Sequence, residues 1–164
     1  MNILSRLSVA ALTLGLAACA SQTPTRSTDH IGRAYNGGNN VPSTGIAIEG
    51  YCPVAYFALG EPVLGDSKYA ATHEGVTYHI GSAEGLALFQ TNPDKYVPAY
   101  GGWCAFGMAS NDKFPADPRH FKIVDGQLML FLKNESVDAL ELWDRGDESE
   151  LVRNANHNWT AARG

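Results

Sequence analysis

Apolar and polar residues alternate most clearly in two stretches of this chain, and each stretch predicts a β-hairpin. The strands and turns are residues 69–73, Glu74-Gly75 and 76–80, and then residues 121–124, Asp125-Gly126 and 127–132. Asp-Gly is the dipeptide that two-residue hairpin turns prefer. Since side chains alternate between the two faces of a strand, we expect His79 to lie on the opposite face from Tyr78.

Short helices are predicted around the hairpins from capping residues and apolar spacing. They begin at Pro53 with Cys52 as the N-cap, at Ser82, at Asn92-Pro93, at Ser136 and again after an interruption at Gly146. Serine and asparagine cap helices with their side chains, and proline suits the first helical position. A short strand is expected at residues 46–48, and no internal repeat stands out. Short antiparallel hairpins mixed with short helices, without βαβ alternation, predict a small α+β domain.

The first eighteen residues have the pattern of a bacterial export signal. Arg6 precedes an apolar run, residues 7–16, which is much shorter than the roughly 20 residues of a membrane-spanning helix. The run leads into Leu16-Ala17-Ala18-Cys19, a lipobox, where bacterial lipoproteins are cleaved and acylated on the cysteine with chains such as palmitate. No aspartate follows Cys19. We therefore expect a lipid anchor in the outer membrane, facing the periplasm.

Composition divides the remaining chain into a tether and one domain. Residues 19–44 are rich in Ser, Thr, Asn and Gly and predict a flexible tether, so the folded domain is expected at residues 45–160. A total of 164 residues suits a single domain. The chain is acidic, with a formal net charge of −5. It has no basic cluster, which argues against nucleic acid as a partner.

The stretch Gly101-Gly102-Trp103-Cys104-Ala105-Phe106-Gly107-Met108 combines glycines, aromatic rings and two sulfur atoms. It suits a tight turn in the core, half of a disulfide or part of a site for a thiophilic metal. If Cys19 carries the lipid, Cys52 and Cys104 are the cysteines that remain. Such a pair in an oxidising compartment usually forms a disulfide. Cys52 at a helix N-terminus is equally consistent with a lowered thiol pKa.

A series of motifs resembles a YHS domain. They are YCPVAYF at residues 51–57, TYHIGS at 77–82, and a segment at 92–105 that contains NPDKY and YGGWCA. A further match follows at 117–128. The likeness covers about residues 46–132. Family members are associated with heavy metals, notably in copper-transporting ATPases, and many have no assigned role. A common form of the pattern has aspartate where this chain has Cys52.

The resemblance favours a binding module for a soft heavy metal. Cys52, Cys104 and Met108 would supply sulfur ligands, and His79 or His73 an imidazole. Sulfur ligands favour copper as Cu(I), and mixed Cys/His sites also suit zinc. Cys104 and Met108 share a face if that turn is helical. The spacing itself is weak support, because the chain has neither CxxC nor HxxxH.

The alternative is a structural or partner-binding envelope lipoprotein with a Cys52–Cys104 disulfide, whose protein partner the sequence does not identify. The long loop between these cysteines would allow a stabilisation on the order of 4 kcal/mol. Catalysis is not expected. An activated Cys52 would need an orienting group and an oxyanion hole, and neither is recognisable in the sequence.

Overall fold

The computed structural model describes residues 27–28, 34–36 and 38–163. The leader at 1–18 and the predicted lipidation site, Cys19, lie outside the described residues. The strands are Ser27–Thr28 (β1), Ala34–Asn36 (β2), Asn39–Asn40 (β3), Asp66–His73 (β4), Val76–Ile80 (β5), Asp117–Val124 (β6) and Gln127–Phe131 (β7). The α-helices are Pro53–Ala58 (α1), Ala83–Thr91 (α2), Ala105–Ala109 (α3), Ala139–Asp144 (α4) and Glu148–Arg163 (α5). Single 3₁₀ turns occupy Ala47–Gly50, Pro93–Lys95 and Ala99–Gly102.

This architecture confirms the α+β prediction. The strands β1, β2 and β3 form a small antiparallel sheet, while β4 pairs with β5 and β6 pairs with β7 as two antiparallel hairpins. The hairpin turns have positive φ at both central residues, including 50° at Asp125 and 76° at Gly126. That is the backbone of a type I′ turn, as the Asp-Gly pair predicted.

Side-chain caps set where the helices begin. Ser82 accepts a hydrogen bond from the backbone N–H of Gly85 at 3.0 Å, which confirms the predicted start of α2. Helix α4 begins later than predicted, because Asp138 and not Ser136 is its N-cap and accepts from Glu141 N–H at 3.1 Å. A carboxylate is the stronger acceptor and also suits the positive end of the helix dipole.

The core lies between the two hairpins and the helices that follow them. Strand β5 alternates as predicted, with Tyr78 buried and His79 half-buried on the other face. Strand β7 is buried along most of its length, and Met129 is fully enclosed. Each hairpin packs on the next helix through an aromatic pair. Tyr78 meets Phe89 with ring centroids 5.3 Å apart, and Phe131 meets Trp143 at 5.4 Å.

The structure contains an internal repeat that the sequence did not indicate. Each half runs from a left-handed turn through an aromatic residue and a cysteine into a short helix, then into a hairpin and another helix. The left-handed residues are Ile48, Glu49 and Gly50 in the first half, with φ of 44°, 53° and 87°, and Tyr100, Gly101 and Gly102 in the second, with φ of 54°, 60° and 83°. In each half the cysteine that precedes the helix lies two residues after the glycine that ends this turn.

Backbone contacts repeat in the same way. The N–H of Cys52 donates to Val63 C=O at 2.8 Å, and the N–H of Cys104 donates to Phe114 C=O at 2.9 Å. Both hairpins have strands of eight and five residues, with the same break in register after the first pair. We conclude that residues 47–91 and 99–144 form two halves with the same order of elements, while β1–β3 and α5 lie outside them, and that Cys52 and Cys104 occupy equivalent positions in the two halves.

Two predictions about the start of the domain are wrong. Residues 46–48 form no strand of their own, because Ile48 begins the left-handed turn. The folded part also starts earlier than residue 45. Trp103 Nε1 donates to Gly38 C=O at 2.7 Å, Asn40 Nδ2 donates to Gly102 C=O at 2.9 Å, and Val41 is only 3% exposed. The end of the predicted tether is therefore hydrogen-bonded to residues 102–103.

Candidate functional site

Cys52 is a buried residue at the N-cap of α1, as predicted. Its side chain makes no capping hydrogen bond to the helix. Its Sγ instead accepts the N–H of Gly81, the residue after β5, at 3.2 Å, and Cys52 is 3% exposed. The thiol therefore joins the start of α1 to the end of the first hairpin.

Cys104 has the corresponding role in the second half. Its Sγ accepts the N–H of Gly107 at 3.5 Å within α3. The backbone N–H groups of Leu132, the residue after β7, of Gly107 and of Phe106 act to lower the pKa of the thiol. Burial raises the pKa of the Cys104 thiol, and these N–H groups offset only part of that rise. The neutral thiol is therefore favoured, whereas a metal ligand must be the thiolate. Met108 is buried on the same short helix.

The predicted metal ligands are distributed over both halves of the repeat. Within residues 38–163, no three His, Cys, Asp or Glu side chains are grouped so that they could hold a metal ion. His79 is half-buried, and its Nδ1 lies beside Gly50, where an added methyl group would be 3.7 Å away. His79 and Cys52 thus belong to one half of the domain, while Cys104 and Met108 belong to the other.

The predicted Cys52–Cys104 disulfide is not formed, since both cysteines are free thiols. The physical reason is visible in the repeat. Each thiol accepts a backbone N–H within its own half, that of Gly81 for Cys52 and that of Gly107 for Cys104. The two cysteines serve as equivalent, small and buried acceptors in the core.

A cleft of about 260 Å³ is the strongest candidate for a binding site among the described residues. It lies between the tip of the first hairpin, the chain at 94–101 and the second half of α5. Its charged and polar lining residues are Asn39, His73, Glu74, Asp94, Tyr100, Gln127, Asn156 and Arg163, and its apolar wall includes Val76, Val97, Pro98 and Trp159. Polar groups converging on a partly apolar concavity are typical of small-molecule sites.

A hydrogen bond and an ion pair extend from adjacent residues of the hairpin tip into this cleft. His73 Nε2 lies 2.8 Å from Asp94 Oδ1, and Glu74 Oε2 lies 3.4 Å from Arg163 Nη2. The side chains of Asp94 and Arg163 are 82% and 49% exposed. Because these side chains are so exposed, the charges of Asp94 and Arg163 are accessible from solvent. Contacts between exposed side chains also contribute little to stability.

The wall formed by α5 holds an aromatic ring and an amide. Tyr100 Oη donates a hydrogen bond to Asn156 Oδ1 at 3.1 Å. This bond uses the amide oxygen of Asn156 and does not involve its NH₂ group. Burial raises the pKa of Tyr100 to about 12, so its hydroxyl keeps its proton. The Trp159 ring is close to two cations, Lys113 at 5.8 Å and Arg163 at 5.5 Å from its centroid.

A larger but more open depression lies on the other side of the second hairpin. Glu49, Tyr51, Arg119 and Lys133 line it. Arg119 is bound to Asp117 at 2.7 Å, and this neighbour holds the pKa of the Asp117 carboxyl below its usual value. The openness of this depression makes it the weaker candidate for a small solute.

Sequence reasoning missed the cleft, although it named His73 as a possible ligand. The lining residues come from five separated parts of the chain and form no motif. The sequence offered one signal, the polar residues His73 and Glu74 at the tip of the first hairpin. Residues at such a tip are ordinarily exposed to solvent, so this signal did not by itself indicate a binding site. No described helix is long and apolar enough to cross a membrane. No family model, characterised protein or solved structure matches this chain, and the likeness to YHS domains stays a prediction.

Proposed function

We propose that this chain is a lipid-anchored, periplasm-facing module of YHS type that binds a small solute in the cleft between the first hairpin and α5. The observation that carries the proposal is the cleft itself, which brings charged, amide and aromatic side chains together around about 260 Å³. The anchor at Cys19 and the outer-membrane location rest on the lipobox. The role is binding, not catalysis.

The arrangement of the cysteines supports a non-catalytic role. A cysteine nucleophile is activated by a neighbouring base or by a lowered pKa. Burial instead raises the pKa of Cys104, which favours its neutral thiol. Neither of them lines the cleft.

Chemical-shift mapping tests the proposal. The full chain, produced with its own leader and purified in detergent, is ¹⁵N-labelled and mixed in turn with amino acids, diamines, dicarboxylates and monosaccharides. We expect one class to shift the amides of Glu74, Gly101 and Asn156, with no change near Glu49 and Arg119. Saturating shifts confined to the second depression would contradict the proposal, as would the absence of shifts with every class.

A soft-metal module is the second candidate, and one observation favours it. The N–H of Gly81 points at Cys52 Sγ from 3.2 Å, and a thiolate ligand would be stabilised by the same bond. The test is a titration with Cu(I) and with Zn(II) of the wild type, Cys52→Ser and Cys104→Ser. Loss of affinity in either variant supports thiolate binding, and unchanged affinity in both contradicts it.

A further inference from the structure

We propose that the ligand of the cleft is a small zwitterion, a compound that carries an ammonium group and a carboxylate, such as an amino acid or a short peptide. This inference rests on the proposed function, because it names the ligand class of the same site. It follows from the signs of the charges in the cleft, the donors between them, and the volume.

Both signs of charge are exposed in the cleft. Asp94 and Glu74 offer carboxylates to a cation, and Arg163 offers a guanidinium to an anion. A guanidinium has five N–H donors, and Glu74 receives one of them at 3.4 Å, a long contact. Arg163 can therefore donate its other N–H groups to a ligand carboxylate while it keeps its contact with Glu74. Asp94 has accessible oxygen in the same way, since His73 contacts one of its two oxygens.

Arg163 and Asp94 lie on different walls of the cleft, and each contacts a residue of the hairpin tip, Glu74 for Arg163 and His73 for Asp94. Arg163 belongs to α5 and lies near the Trp159 ring, with Lys113 on the same ring. Asp94 belongs to the 3₁₀ turn Pro93–Lys95. A ligand with a single charge would gain one favourable wall and face like charge on another. A dianion such as phosphate would be repelled by two carboxylates. A zwitterion can complement both walls.

The remaining lining and the volume agree with a small polar ligand. Asn39, Gln127 and Asn156 supply amide groups that both donate and accept. A volume of about 260 Å³ equals the liquid volume of roughly nine water molecules. An amino acid or a dipeptide has a comparable size.

Calorimetric titration of the full chain in detergent tests the ligand class with matched compounds. Alanine and dialanine carry both charges, propionate lacks the ammonium group, ethylamine lacks the carboxylate, and glucose is neutral. We expect alanine or dialanine to bind at least about tenfold more tightly than any of the three others, because each missing charge removes a charge-assisted contact.

Variants then assign each charge to its wall. Arg163→Gln should abolish the preference for alanine over ethylamine, and Asp94→Asn should abolish the preference for alanine over propionate. Arg119→Gln is the matched control, since Arg119 is another exposed arginine paired with a carboxylate, in the second depression. It should bind like the wild type. Unfolding curves of all three variants establish that the fold is kept.

The outcomes separate the two proposals. Tighter binding of glucose, propionate or ethylamine, with shifts in the cleft, would overturn the zwitterion and leave the binding module standing. Binding of no compound, with no shift in the cleft, would overturn both. An equal loss in Arg119→Gln and Arg163→Gln would also overturn the zwitterion, because charge at the cleft would then have no special effect.

Discussion

Replacement of Gly101 by alanine should destabilise the protein more than a positive φ alone explains. Gly101 has φ of 60° and lies where β3 and α5 meet the turn Ala99–Gly102. A Cβ there would lie 2.2 Å from Asn39 Oδ1, 3.1 Å from Asn39 Cα and 2.9 Å from the Trp159 ring. The amide of Asn39 can rotate away, but its Cα is backbone and the ring is held by its neighbours.

The magnitude follows from two contributions. An L-residue in the left-handed region costs roughly 1–2 kcal/mol, and forcing an additional carbon into an occupied space costs roughly 1–3 kcal/mol. The lower entropy of the unfolded chain with alanine offsets roughly 0.4–1 kcal/mol of these costs. We therefore expect Gly101→Ala to lower the free energy of unfolding by about 1–4 kcal/mol. Gly126→Ala is the control, because Gly126 has φ of 76° with no atom within 4 Å of the added carbon. Its free energy of unfolding should fall by only about 0.5–1 kcal/mol, the backbone strain less the same entropy term.

Urea denaturation followed by fluorescence measures both variants at the same m-value. The difference between them is the cost of the close approach. Equal losses in Gly101→Ala and Gly126→Ala would refute the packing of Asn39 and Trp159 around Gly101. In the cleft, the same substitution should also weaken binding of the ligand, since Gly101 is part of its wall.

Three further predictions concern the repeat and the core. Glu49 is the counterpart of Gly101 in the first half and has φ of 53°. Glu49→Gly should raise the free energy of unfolding by about 0.5–1 kcal/mol, because the relief of backbone strain exceeds the cost of the greater entropy of the unfolded chain. A lower urea midpoint would contradict this. Tyr56→Phe should lose about 1–3 kcal/mol in urea denaturation, because the buried Tyr56 hydroxyl donates to Pro118 C=O at 2.8 Å and the carbonyl would lose its partner; an unchanged midpoint would contradict it. The raised pKa of Cys104 predicts that its contribution to stability is full below the unfolded thiol pKa, about 8.5, and is lost as the pH rises from there through the folded pKa. The urea midpoint should therefore fall less between about pH 7 and 9.5 in Cys104→Ala than in the wild type, and parallel curves would contradict a buried neutral thiol.

The elements that the sequence predicted are those with strong local signals. Asp125-Gly126 specified its turn, and Ser82 specified the start of α2. The alternation in β5 correctly placed Tyr78 inside and His79 on the other face. Each of these signals acts over a few residues, so neighbouring sequence is sufficient to detect it.

The sequence did not reveal the repeat, because the feature that the two halves share is mainly backbone conformation. The two halves share an aromatic-Cys pair and an acidic-Gly turn, but few other residues. Ile48 is β-branched and an unusual residue for φ of 44°, whereas Gly101 is an obvious one. Tertiary contacts impose the turn at Ile48, so no local signal could reveal it.

The cysteines show the limit of counting residues. A remaining pair in an oxidising compartment suggested a disulfide, and the family likeness suggested shared ligands. Residue counts and family likeness do not reveal that each thiol accepts a backbone N–H within its own half of the domain. The cleft is a similar case. It combines residues as distant in sequence as Asn39 and Arg163, and only the folded chain brings them together.

A crystal structure of the full chain grown with dialanine shows whether the cleft binds a zwitterion. We expect one dipeptide in the cleft, with its carboxylate at Arg163 and its ammonium group at Asp94. A dipeptide bound at Arg119 in the second depression, or a cleft that is empty in crystals saturated with dialanine, would contradict it.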